Sequence, residues 1–311
     1  MIFTDKDNFT AILRQGQMIL ANAKVNLSID VLGIQPETGY HIVKMIMQQI
    51  PLHDRLFFFM GEKANILPNT TPIDSQISLA CNSKRLPLNE KNLVYKAAKI
   101  ITDNYGITDP ISIYIDKHIP AGGGLGGGSA DAAAVLLALN RLFALGLTKP
   151  QLHQYGKMLG SDVPFMIDGG AGLAEGTGTE ISPLPELKNG YLLLVNPNIF
   201  LSTELVYKTL DEMELEPEDH PDTDLLLQAL ANQDFYTFAH NMKNVLEIPA
   251  FALRPEVGLL KNDILQKGAI GAMMSGSGAT VFGLFDDEQK AKEAMFYYRS
   301  RKFFSTCTPL Y

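Results

Sequence analysis

Pro120-Ala121-Gly122-Gly123-Gly124-Leu125-Gly126-Gly127-Gly128-Ser129-Ala130-Asp131 decides how this chain is read. Six of these twelve residues are glycine. The run lies between Ile111–Ile115, which reads as a strand, and Ser129–Leu145, an Ala- and Leu-rich stretch with the strongest helix pattern in the chain. Without a Cβ the backbone turns sharply and approaches a ligand closely. Successive N–H groups then converge on an anion, and the helix start behind them adds partial positive charge. The pattern is that of a phosphate cradle. It is not a Walker A loop, because no lysine follows the glycines. GxGxxG is formally present at Gly122, Gly124 and Gly127, but a second helix, Lys149–Gly160, follows where a dinucleotide fold needs a parallel strand. A flexible linker would not carry Leu125 in its middle and a strong helix on its flank.

Outward from the run, the chain is 311 residues long, 46% hydrophobic and 19% charged, enough for two domains without disulfide or metal staples. Its two cysteines, Cys81 and Cys307, sit far apart, which predicts no zinc site and a reducing, cytoplasmic home. No apolar stretch long enough to span a membrane and no signal-like opening are present, so no membrane association is expected. A net charge of −8 argues against nucleic acid as a partner and leaves room for a phosphorylated small molecule.

Residues 1–17 read as an N-terminal extension. Met18–Gly33 alternates as a half-buried strand, Met45–Ile50 and Asp54–Met60 as two more, and 61–92 as turn-rich chain. Asn92 caps a helix to Tyr105. Beyond a second glycine-rich stretch at Asp168–Gly178 come strand Tyr191–Val195, helices near 223–246 and 255–267, a turn and strand in Gly268–Phe285, a helix near 287–300 and a final short strand. The mixture lacks regular βαβ alternation and predicts an α+β protein of two domains, 1–167 and 168–311.

Pro120–Ala134 resembles the phosphate loop of the GHMP kinase superfamily. Ala23-Lys24-Val25-Asn26-Leu27 resembles its first motif and Gly276-Ser277-Gly278-Ala279 its third, in the same order. Gly39-Tyr40-His41 and Gly160-Ser161-Asp162-Val163-Pro164-Phe165 are similar to segments of the members that phosphorylate the 2-hydroxyl of a cytidine diphosphate-linked methylerythritol, in the non-mevalonate (MEP) route to isoprenoid precursors. The resemblance implies an N-terminal ATP-binding domain like ribosomal protein S5 domain 2, a ferredoxin-like C-terminal kinase domain, substrates held in the cleft between the two, and ATP with Mg²⁺.

It also implies roles. Pro120, Ala121, Gly122, Gly123, Gly124, Leu125, Gly126, Gly127, Gly128 and Ser129 would hold the ATP phosphates. The Ser129 hydroxyl serves as a helix cap, a phosphate or Mg²⁺ contact, or both. Asp162 would be the catalytic base, with Lys24 beside it stabilising the alkoxide or the transferring phosphoryl group. Asn26, on the same strand face as Lys24, would orient the acceptor. Tyr40 and Tyr207 would sandwich the cytosine, with His41 on its edge and Thr203 as a further polar contact. Asn92 and Lys96 would border the adenine. Asp131, in the first helical turn, needs nothing beyond the helix dipole. Two segments depart from the family: Gln35-Pro36-Glu37-Thr38 replaces a commonly basic stretch, and Asn244-Val245-Leu246-Glu247 replaces Asn-Asp-Leu-Glu. The rivals are a GHMP kinase for another alcohol, such as homoserine or mevalonate, and a non-catalytic nucleotide-binding protein on the same fold.

Overall fold

The computed structural model describes residues 6–310 and resolves into two compact units. The first holds the chain up to Ala23, then Leu52–Ala121 and Gly127–Asp168; the second holds Lys24–Pro51, Gly122–Gly126 and the chain from Gly169 on. Of the extension expected at 1–17, residues 1–5 lie outside the described residues, and Lys6–Leu13 form helix α1. Strand β1 (Gln17–Ile34) follows and pairs with β2 (His41–Met60). The sequence reads β2 as two strands, yet it is one, and it changes partner along its length.

In the first unit the later half of β2 pairs antiparallel with β5 (Ile111–Asp116), Leu56 opposite Ile115. Two strands in the stretch read as turns, β3 (Thr71–Pro72) and β4 (Ile77–Cys81), complete this portion, β4 running parallel to β5. Alternation on β5 sends Ile111, Ile113 and Ile115 to one face and Tyr114 to the other. There Tyr114 joins Phe57, Phe59, Leu67 and Ala80, closed by Phe9, Ile12 and Leu13 of α1. Helices α2 (Leu93–Tyr105), α3 (Gly127–Leu142), α4 (Lys149–Leu159) and α5 (Val163–Asp168) pack on one another through small and aliphatic residues, among them Ala97, Ala98, Ala133, Val135 and Leu139, all buried. The Asn92 side chain accepts from the Val94 N–H, the cap expected for α2.

In the second unit the first half of β2 pairs with β6 (Ala171–Glu175), Ile46 opposite Leu173, and β6 with β7 (Glu180–Leu184). A separate antiparallel sheet has the order β11-β8-β10-β9, from β8 (Gly190–Asn196), β9 (Gly271–Met274), β10 (Val281–Phe285) and β11 (Phe304–Leu310). Leu192, Leu193, Leu194 and Val195 are fully buried in succession, so both faces of this sheet are covered. Helices α10 (Pro255–Gln266) and α11 (Glu288–Ser300) pack on it. Helix α6 (Thr203–Asp211) and α9 (Glu247–Leu253) were not expected from the sequence. The helix read over 223–246 is two, α7 (Thr223–Ala231) and α8 (Phe235–Asn241). Gln233 between them has φ +55, outside the helical region, and Asp234 caps α8 by accepting from the Thr237 N–H.

Candidate functional site

Three motifs far apart in the chain meet in the second unit. The Lys24 N–H donates to the Leu125 carbonyl at 3.1 Å. The Asn26 N–H donates to Ser275 Oγ at 3.2 Å, and that hydroxyl donates to the Gly124 carbonyl at 2.9 Å. The Thr280 N–H reaches the Gly123 carbonyl at 3.3 Å. The first motif, the glycine run and the two residues flanking the third motif, Ser275 and Thr280, are thus bound backbone to backbone or through one hydroxyl. Gly124 shows how closely: a Cβ there would stand 1.9 Å from the Ser275 carbonyl oxygen, and its φ is +76. Gly122 and Gly126 are also left-handed, at φ +67 and +66. Left-handed residues at every second position suit a concave row of N–H groups for an anion. Leu125 between them is buried and pins the run to the core.

Lys24 and Asn26 lie on one face of β1 and are both buried. Lys24 Nζ donates to Asn26 Oδ1. Behind them, the segment that departs from the family pattern holds the third motif in place. Asn244 Nδ2 donates to the carbonyls of Met274 (2.8 Å) and Gly276 (2.9 Å), and its Oδ1 accepts from the Leu246 N–H. Glu247 accepts from the Met274 N–H (2.8 Å) and from Lys261 Nζ (2.6 Å). Burial pushes the Glu247 carboxyl up against the pull of Lys261. Val245, where the family carries an acid, is buried, and its N–H bonds the Ile29 carbonyl of β1. Asn244 and Glu247 do the polar work without that acid.

The second unit also brings together His41 and Tyr207, two of the residues expected at the base. His41 Nε2 lies 2.7 Å from Asp211 Oδ1, and its ring is 4.5 Å from that of Tyr207 at 44°. Thr203 Oγ1 shares a 2.7 Å hydrogen bond with Ser277 Oγ of the third motif. Tyr40 is exposed at the end of the turn Gln35–Gly39, where the Gly39 N–H bonds the Gln35 carbonyl at 2.8 Å. The Gln35–Thr38 departure therefore forms a closed turn.

The remaining expected residues are in the first unit. Pro120 and Ala121 lead into the run. Gly127 and Gly128 open α3, so Ser129 is the third residue of that helix and not its cap. A Cβ on Gly160 would lie 4.0 Å from Ser129 Oγ, which puts that hydroxyl beside the turn carrying Asp162. Asp162, half-buried, immediately precedes α5, and its carbonyl accepts from the Met166 N–H at 3.1 Å. Asn92 uses its amide on the Pro87 carbonyl and on the α2 cap, and Lys96 is exposed on α2.

Asp131 is more than a residue favoured by the helix dipole. It is buried, and its Oδ2 accepts from Lys117 Nζ at 2.6 Å. The same ammonium donates to Asp54 Oδ2 at 2.6 Å, while Asp54 Oδ1 accepts from the N–H groups of His118 and Ile119. Asp131 Oδ1 has no partner. Burial, reinforced by the Asp54 charge against the pull of Lys117, pushes the Asp131 carboxyl up to about 8. Its two carboxylates raise Lys117 above the usual lysine range in spite of burial. Gly127 abuts this cluster: a Cβ there would stand 3.1 Å from Lys117 Nζ and 3.0 Å from Ile119. Sequence reading missed the cluster because Asp54 lies 63 residues before Lys117 and nothing local links them.

Among the described residues no group of three or more His, Cys, Asp and Glu could hold a metal ion, and no helix is long and apolar enough to cross a membrane.

Comparison with known proteins identifies the family. The pattern of the GHMP kinases N terminal domain matches residues 92–170, and that of the GHMP kinases C terminal matches residues 226–302. The chain is 44% identical to 4-diphosphocytidyl-2-C-methyl-D-erythritol kinase of Alkaliphilus metalliredigens, over 88% of this chain and 89% of that protein. It is 42% identical to the protein of that name from Clostridium kluyveri, over 88% and 93%. A crystal structure of 4-(cytidine 5'-diphospho)-2C-methyl-D-erythritol kinase superposes with a TM-score of 0.74 at 31% identity, covering 94% of this chain and 98% of that one. Homoserine kinase from Cytophaga hutchinsonii, at 19% identity and a TM-score of 0.69 over 99% and 96% of the two chains, shares the fold. The α+β architecture read from the sequence is the one these structures have.

Proposed function

This chain belongs to the 4-diphosphocytidyl-2-C-methyl-D-erythritol kinases of the GHMP kinase family, and on that premise we propose that it moves the γ-phosphate of ATP to the 2-hydroxyl of 4-diphosphocytidyl-2-C-methyl-D-erythritol. The step belongs to the non-mevalonate route to isoprenoid precursors. The observation that carries this reading is the binding of all three motifs to one another at Gly123–Leu125, Lys24–Asn26 and Ser275–Thr280.

Phosphoryl transfer to an alcohol is positioning plus charge neutralisation. The N–H groups of Gly122–Gly128 receive the donor phosphates, with the α3 start adding its dipole. Asp162 accepts the proton of the 2-hydroxyl as that oxygen attacks phosphorus. Lys24, its ammonium held by Asn26, supplies positive charge to the transferring group. Mg²⁺ takes few protein ligands when phosphates complete its shell, and the half-buried Ser129 hydroxyl beside the Asp162 turn suits that role. When bound, Mg²⁺ neutralises charge on the β- and γ-phosphates. Tyr40 and Tyr207 flank the cytosine, His41 meets its edge and Thr203 is a polar neighbour; Asn92 and Lys96 border the adenine. We assign 1–167 to the ATP-binding domain and 168–311 to the C-terminal kinase domain. Free thiols at Cys81 and Cys307 suit a cytoplasmic reaction.

The test is ADP release from Mg-ATP with the cytidylyl acceptor offered against homoserine and mevalonate. Turnover on the cytidylyl acceptor alone is expected, falling about a thousandfold in kcat in Asp162→Asn. Turnover on another alcohol removes the substrate assignment, and near-normal kcat in the variant removes the base.

A further inference from the structure

Helix α6 presents Thr203, Tyr207 and Asp211 four residues apart, so all three lie along one face. Thr203 bonds Ser277 of the third glycine motif, Tyr207 lies against the His41 ring, and Asp211 bonds His41 Nε2 at 2.7 Å. Nothing in the motif pattern singles out Asp211. A carboxylate accepts hydrogen bonds and donates none, so the nitrogen facing it carries a proton. In a neutral imidazole the other nitrogen, Nδ1, is then a bare acceptor. His41 keeps 19% of its side chain exposed, leaving an edge open to a ligand.

We propose that Asp211 is a positioning residue that fixes His41 with Nε2 protonated and Nδ1 as acceptor, and thereby sets a preference for cytosine over uracil. Cytosine offers an exocyclic amino donor where uracil offers a carbonyl oxygen. An acceptor on His41 pairs with the first and opposes the second, and an unpaired buried acceptor is costly. The inference rests on the reading that His41 meets the base.

The experiment measures kcat and KM for cytidylyl- and uridylyl-linked methylerythritol in the wild type, Asp211→Asn, Asp211→Ala and Asp211→Glu. Asparagine presents either a donor or an acceptor to Nε2 and so releases the tautomer. The cytosine-over-uracil ratio of kcat/KM should fall about tenfold in Asp211→Asn and Asp211→Ala, carried by KM, and recover in Asp211→Glu. Proton–nitrogen NMR of His41, assigned by its loss in His41→Gln, should show protonated Nε2 in the wild type and mixed tautomers in Asp211→Asn. An unchanged ratio in the asparagine and alanine variants, or an Nδ1-protonated wild type, overturns the proposal and leaves the kinase reading intact. A wild type that turns over neither substrate overturns both.

Discussion

At Gly124 the chain passes so near Ser275 that no side chain fits between them, whereas at His41 the neighbouring segments meet through side chains alone. The two regions belong to the same unit, and on the reading proposed above one faces the donor phosphates and the other the acceptor's base. The glycine clamp is built from carbonyls, N–H groups and one hydroxyl, most of them on buried residues. The base-facing end is built from an imidazole, a phenol ring and a carboxylate, all partly exposed. Backbone N–H groups suit any phosphate chain alike, so the proposed cradle names no acceptor. The proposed recognition of the acceptor rests on side chains, which substitution alters without disturbing the chain path.

Gly124→Ala is the harshest way to break this contrast. It adds a Cβ to a left-handed residue and drives it into a carbonyl, so destabilisation of about 4 kcal/mol or more is expected in urea unfolding, with loss of turnover. A loss near 1 kcal/mol would mean that the clamp yields and is no stricter than the base-facing end. Tyr207→Ala tests the opposite side. Removing one stacking ring should raise KM for the cytidylyl acceptor about tenfold and leave kcat within about threefold. If kcat fell as far as KM rose, the ring would belong with the clamp.

Asp131→Asn sharpens the contrast with the smallest effect, because the Lys117 cluster is side-chain built yet buried. Asp131 keeps its proton in the folded chain up to about pH 8, while the unfolded chain releases it near the ordinary value of 3.8. Between those values the folded state binds the extra proton, so this group makes stability fall as pH rises. Asparagine removes the titration, and unfolding measured from pH 5 to 8 should follow a flatter course in the variant. An unchanged slope would show that the cluster carries no such proton.

The pieces of the clamp are legible in the sequence because each is local: glycines in a run, a lysine and an asparagine two apart on a strand, a helix-forming stretch after the turn. That Ser275 and Thr280 tie them together is not legible, because those contacts span more than a hundred residues. α2 was legible through Asn92, whose cap is visible in one window. β2 was not read as a single strand because Pro51 and the charged residues after it interrupt the pattern where the strand exchanges β6 for β5. α6 escaped because its nine residues carry a short pattern that only contacts with β2 and the third motif make meaningful. Asp54, Lys117 and Asp131 escaped for the same reason: each is an ordinary charge until the fold buries the three together.

The four-residue spacing along α6 has a consequence for how such an enzyme changes over generations. Point substitutions at Thr203, Tyr207 or Asp211 alter one contact and spare the other two. Loss or gain of a single residue within the helix turns everything beyond it by about 100°, which removes the register of Tyr207 and Asp211 against His41 in one event. On the proposed reading, acceptor preference drifts by substitution along α6, whereas a change of length within the helix would abolish it at once.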